Sequence, residues 1–466
     1  MFHFVRLLPA LALSLSAACL CAQGLPAEVE AALARAKVPR DALSVLVVDA
    51  EGKTAPRASH RAGVAMNPAS VAKLVTTYAA LEQLGPAFTW STPVFADGPV
   101  QGGVLAGNVY IQGQGDPKLV VERLWLLLRR LQGLGIQQIQ GDIVLDRSAF
   151  ETVTQDPGIF DGEPLRPYNA APDALLLNFK SVVMTFVPDR NGRAQVQYEP
   201  PLAGVQTTSS VPLVAGDCGD WRTTLKADFS DPNRIRLGGG YPTSCGERPW
   251  PVAYADPKTY AARAVAGLWS EMGGKLSGQV REGRVPAGLR PSFTVQSPSL
   301  AEIVRDINKY SNNVMAQQLF LTLSLQPKAV GTQEGSREVV RAWWRDRVGG
   351  EPPVIDNGSG LSRDDRITAQ QLGKMLQLAW ASPLMPELMS SLPVAGADGT
   401  LRRMRGRSAG LAHLKTGSLR DVAAVAGFVH AASGRRYVLV AIANHANAAA
   451  ARPAMDALID WTARDQ

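Results

Sequence analysis

Two short polar elements, Ser70-Val71-Ala72-Lys73 and Ser311-Asn312-Asn313, stand so far apart that 240 positions separate Lys73 from Asn313. A third, Lys415-Thr416-Gly417-Ser418, follows before the apolar run Val422 to Val429. A serine hydroxyl is a weak nucleophile at neutral pH and needs a neighbouring base. Helix positions i and i+3 share a face, so the Lys73 amine can reach the Ser70 oxygen. No other lysine in the chain has a serine three places before it. If the three elements act together, the fold must gather them at one place.

Ser-x-x-Lys with a Ser-Asp-Asn-type element and Lys-Thr-Gly is the pattern of class A β-lactamases and penicillin-binding proteins. Further segments narrow the likeness: Pro68-Ala69-Ser70, Gly113-Gln114-Gly115-Asp116-Pro117, Asp356-Asn357-Gly358-Ser359-Gly360-Leu361-Ser362, Leu392-Pro393-Val394-Ala395-Gly396 and Asp398-Gly399-Thr400-Leu401. From about residue 40 to residue 446 the chain resembles the D-alanyl-D-alanine carboxypeptidase/endopeptidases, the class C low-molecular-mass penicillin-binding proteins. The resemblance implies an α/β fold, a penicillin-binding transpeptidase-like (serine β-lactamase-like) domain with one antiparallel sheet flanked by helices. It also implies a large inserted α/β plus β-rich region.

Acyl transfer from a peptide needs a nucleophile, a base, an acid for the leaving amine and a cradle for the oxyanion. Ser70 is the expected nucleophile and Lys73 its base, once burial and the Lys415 cation depress its pKa. Ser311 is expected to relay the proton to the leaving nitrogen, and Asn313 to orient Lys73 and the substrate amide. Lys415 offers charge, and Thr416 and Ser418 offer hydroxyls, to a terminal carboxylate; Gly417 allows close approach. By resemblance, the backbone N–H groups of Ser70 and Ser418 form the oxyanion hole, and the Asp356–Ser362 loop lies near the site. Asn312 replaces the commoner aspartate between the two chemical positions of its motif. The function implied is an exported serine DD-peptidase that cleaves D-Ala-D-Ala, and D-Ala-diamino acid cross-links, in peptidoglycan stem peptides. β-Lactams would acylate the same serine. A β-lactamase and a penicillin-recognising sensor that acylates without turnover are the competing readings. No His-Glu-x-x-His pattern occurs. The Gly-x-Ser-x-Gly spacing at Gly406-Arg407-Ser408-Ala409-Gly410 falls in a basic stretch, with no strand-like run before it as a nucleophile elbow needs. A histidine-assisted hydrolase or a metallopeptidase is therefore disfavoured, and no metal or cofactor is expected.

Residues 1–22 read as a signal peptide: Arg6, an apolar run from Leu7 to Leu20, and small residues at Ala18 and Ala22. Pro9, Ser14 and Ser16 interrupt the run, which argues against a retained anchor, and Ser16 is a poor lipobox residue ahead of Cys19. A soluble, exported, periplasmic protein is expected. The mature chain keeps Cys218 and Cys245, 27 positions apart. In an oxidising compartment such a pair is expected to bond, in preference to binding metal or remaining as thiols. The formal charge of +7 suits work beside an anionic envelope polymer. The basic stretch Leu401 to Arg407 reads as a solvated rim loop and not a nucleic-acid patch. The tail from Arg452 has Asp456, Asp460 and Asp465 against two arginines, which favours docking on the protein over a membrane anchor.

At 466 residues, with 46% hydrophobic and 19% charged residues, the chain suggests several globular domains. The expected division places the catalytic domain at 23–88 and 293–466, with an inserted domain at 89–165 and 255–292. A β-rich subdomain at 166–254 is nested within the insertion.

Overall fold

Strands Leu43–Asp49, Val422–His430 and Arg436–Asn444 are apolar runs without clean alternation, so the sheet they form must be covered on both faces. A computed structural model of the protein describes residues 24–152 and 156–465. The expected signal peptide, with Arg6 and Cys19, lies outside the described residues. The sheet has five antiparallel strands in the order Ala58–His60, Leu43–Asp49, Arg436–Asn444, Val422–His430, Ala412–Leu419. Successive side chains point to opposite faces. Thus Ala424, Ala426, Phe428 and Val440 meet a helical layer that includes Lys73–Leu84, Leu300–Tyr310, Asn313–Lys328 and Ala369–Ala381. Ala423, Val425, Val429 and Leu439 face Ala27–Ala36 and Arg452–Ala463. The tail helix is therefore docked through Met455, Leu458 and Ile459. No described helix is long and apolar enough to cross a membrane.

Helix ends place the polar motifs. Ser299 opens Leu300–Tyr310 through a capping box with Glu302. That helix ends at Ser311 in the left-handed region, φ 57°. Asn312 then caps the next helix, its side chain accepting from the Met315 N–H at 3.1 Å. Asparagine and aspartate are comparable N-caps, which gives Asn312 a local structural role at the joint. Ser311 and Asn313 thus project from a bend between two packed helices.

The insertion has its own core. One sheet runs Val280–Glu282, Ile143–Asp146, Val109–Gln112, Ser91–Ala96, Phe293–Gln296, and helices Val121–Gly133 and Tyr260–Glu271 pack with it. Leu124, Leu127, Leu128 and Leu131 bury one face of the first helix, while Trp125 and Leu126 are exposed. The expected boundary at residue 293 needs correction. Phe293–Gln296 pairs with Ser91–Ala96 and Phe293 lies in the inserted core, so the catalytic part resumes at the Ser299 cap. The boundary at 166 also shifts. Leu175 and Leu177 belong to the inserted core, and the β-rich unit starts at strand Ser181–Pro188. That unit carries a five-stranded sheet around Phe186, Trp221 and Tyr241. Cys218 and Cys245 are joined there by a disulfide.

Candidate active site

Ser70 lies in a tight 3-10 turn, Ala69–Ala72, that runs directly into helix Lys73–Leu84. Ala69 takes a positive φ of 47°, uncommon for a residue with a Cβ. The turn is pinned by Asn67, whose Oδ1 accepts from the Ala69 N–H at 2.8 Å. Asn67 itself exchanges hydrogen bonds with Asn444 of the central sheet at 2.8 and 2.9 Å. The nucleophile candidate is thereby tied to the central sheet.

Lys73 is fully buried. Its Nζ lies 3.0 Å from Ser70 Oγ, 2.6 Å from Asn313 Oδ1 and 2.5 Å from the Ser359 carbonyl oxygen. Burial first, and the Lys415 cation second, push its pKa well below the ordinary lysine value, against a smaller opposing pull from Asp365. A neutral amine has two N–H donors and one lone pair. The Asn313 and Ser359 oxygens accept only, so they take the two hydrogens, and the lone pair is left facing Ser70 Oγ. That is the geometry of a general base. Asp365 is itself buried, and its carboxyl is pushed up to about 7, mainly by burial.

Lys415 is also fully buried. Its Nζ donates to Ser311 Oγ and to the Thr416 carbonyl oxygen, both at 2.8 Å, and burial lowers its pKa to about 7. From the sequence, this lysine offers a positive charge to a terminal carboxylate; in the structure its Nζ is engaged by Ser311 and the Thr416 carbonyl. Thr416 Oγ1 pairs with Thr400 Oγ1 at 2.7 Å, and Ser418 Oγ accepts from Arg452 Nη2 at 2.9 Å. Strand Ala412–Leu419 runs hard against the Ser70 turn. A Cβ on Gly417 would stand 2.5 Å from the Pro68 oxygen and 3.2 Å from Ser70 N.

Ser70 and Ser311 line two clefts at once. The larger, about 910 Å³, is walled by Phe160, Tyr168, Tyr310 and Arg363, with Asn313 and Ser418 at its floor. The smaller, about 380 Å³, is lined by Thr400, Thr416, Ser418 and Arg452 among others. All eight candidate residues thus converge, from a turn, a helix joint and a strand edge. Sequence reasoning did not single out three contributors. The Ser359 carbonyl belongs to the loop expected near the site, where Gly360 sits under the Ala69 oxygen with no room for a Cβ. Asp365 and Arg452 carry no local motif.

The D-Ala-D-Ala carboxypeptidase 3 (S13) family matches residues 25–465 of this chain. The chain belongs to that family. It is an enzyme of the serine-type D-Ala-D-Ala carboxypeptidase class. A D-alanyl-D-alanine carboxypeptidase DacB of Haemophilus influenzae is 26% identical over 396 residues, 83% of this chain and 82% of that protein. The family fold is seen in penicillin binding protein 4 of that organism: TM-score 0.75 at 22% identity, covering 94% of this chain and 99% of that one. The same protein has been solved complexed with a β-lactam, at a TM-score of 0.70, covering 94% and 100% of the two chains. A predatory endopeptidase of Bdellovibrio bacteriovorus matches at TM-score 0.54 and 16% identity, over 90% of this chain and 92% of that one.

Proposed function

We propose that this family member is an exported DD-peptidase working through a Ser70 acyl-enzyme on peptidoglycan stem peptides, as a carboxypeptidase and as a cross-link endopeptidase. The observation that carries the proposal is the Lys73 amine, buried, with its pKa pushed well below the ordinary lysine value, 3.0 Å from Ser70 Oγ. Ser70 Oγ attacks the carbonyl carbon of the penultimate D-alanine, and its proton passes to Lys73 Nζ. The oxyanion is received by the backbone N–H groups of Ser70 and Ser418, each a donor of a kind worth about 3–4 kcal/mol. Ser311, polarised by the Lys415 amine, relays the Lys73 proton: it gives its own to the departing nitrogen and takes one from Lys73, which returns to the neutral amine. Water then hydrolyses the ester. A β-lactam follows the first steps but leaves its amine tethered.

A cleft of about 910 Å³ with aromatic walls gives room beside Ser70 for a stem peptide on the acyl side. An endopeptidase must also seat the second stem peptide, which departs as the amine. The fold neighbour that is an endopeptidase, and the Haemophilus protein solved with a β-lactam, support this reading by analogy. Fluorescent penicillin labelling with time-resolved release, alongside D-alanine release from a muropeptide pentapeptide, tests the proposal. Slow penicillin release with D-alanine production is expected. Rapid penicillin hydrolysis would point to a β-lactamase, and stable labelling without D-alanine to a sensor.

A further inference from the structure

Resting on that reading of Ser70, we infer that Arg452 is the residue that receives the free carboxylate of the leaving D-amino acid. The need for such a group follows from where the lysines point. Lys73 and Lys415 are both fully buried, and each Nζ is engaged by oxygens of the protein. Neither lysine lines either cleft. The smaller cleft, about 380 Å³, begins at Ser70 and Ser311 and is lined on its far side by Thr416, Ser418 and Arg452. It shares Ser70, Ser311 and Ser418 with the larger cleft, to which the proposed function gives the acyl half of the substrate.

Arg452 is exposed and opens the last helix, which is docked on the sheet through Met455 and Leu458. Its guanidinium has five N–H donors in a planar fork suited to a carboxylate. One is given to Ser418 Oγ at 2.9 Å. Among the described residues, Arg452 makes no ion pair. Asp456, which lines the same cleft one turn on, stands beyond salt-bridge distance. Ser418, accepting from Arg452, is left with its own O–H to donate. A carboxylate between Thr416 and Ser418 would thus meet two hydroxyls backed by one permanent cation. A C-terminal amide or ester would meet the same hydroxyls but forgo the charge.

The test compares acylation rates of wild type, Arg452→Ala and Arg452→Lys by benzylpenicillin and by its methyl ester, followed by intact mass. Thermal melts of each variant accompany the rates. The acid-to-ester ratio of rates is expected to fall about 10- to 100-fold in Arg452→Ala, the scale of a charge-assisted hydrogen bond. It is expected to recover in part in Arg452→Lys. For a pentapeptide the loss is expected in KM more than in kcat. An unchanged ratio, or equal losses with acid and ester, overturns the inference. Failure of the wild type to acylate with either compound would instead refute the Ser70 reading beneath it.

Discussion

Around Ser70 the interior is polar: Lys73, Lys415, Asn313 and Ser359 are all buried and bonded to one another or to Ser70 and Ser311. In the unit that begins at Ser181 the interior is apolar. Phe186 stacks on Tyr241 with centroids 5.2 Å apart, Trp221 meets both rings edge-on, and a disulfide closes the loop beside them. Burying an ammonium costs stability and shifts its pKa, whereas burying a ring stabilises. The first region gives up stability to bury two amines and lower their pKa values; the second accumulates stability and walls the cleft with Val183 and Pro251. On the proposed function, one region does the chemistry and the other shapes the access to it.

Substitutions can break this contrast. The largest effect is expected at the base. Ser70→Ala abolishes acylation, and Lys73→Ala lowers its rate by about 10²–10⁴-fold in stopped-flow labelling, because the two act as a unit. A Lys73 variant with near-normal acylation would move the base elsewhere. Next is Gly417→Ala. Its Cβ would crowd the Pro68 oxygen at 2.5 Å, pushing strand and turn apart. A displacement on that scale costs about 10²-fold in rate. Normal kinetics would show that the strand edge need not approach Ser70.

In the apolar region the effect falls on stability. Replacing Cys218 and Cys245 together by serine removes a 27-residue closure. It is expected to cost about 2–4 kcal/mol in denaturant unfolding while acylation stays unchanged. A loss of acylation would tie the two regions more closely than their separate cores suggest. The smallest expected effect is a shift in pH dependence. The Lys73 pKa is depressed by burial and then by Lys415, so acylation rises as pH increases through that lowered value. Lys415→Met removes the second cause, raises the Lys73 pKa and moves the rising limb to higher pH. A limb that moves to lower pH contradicts the assignment.

Much of the site was legible because its chemistry sits in contiguous motifs with helix and strand signals beside them. The Lys415-Thr416-Gly417-Ser418 motif precedes the apolar run Val422 to Val429, and the two form neighbouring strands of the sheet. One antiparallel sheet was implied by the resemblance; its five strands and their order were not. Long-range partnership was not legible. Nothing local tells that Phe293–Gln296 pairs with Ser91–Ala96, or that Arg452 reaches Ser418. Nor does a Lys-Thr-Gly motif say which way its lysine turns. Lys415 faces inward because strand Ala412–Leu419 alternates and Ser311 lies behind it, a fact of packing and not of sequence.

Peptide mapping of the protein after brief exposure to benzylpenicillin tests the central claim most directly. The account predicts one adduct, carrying the mass of the opened drug, on the peptide that contains Ser70. It also predicts that prior acylation blocks D-alanine release in the same proportion. An adduct on Ser311 or another residue, or D-alanine release that persists at full acylation, would contradict it.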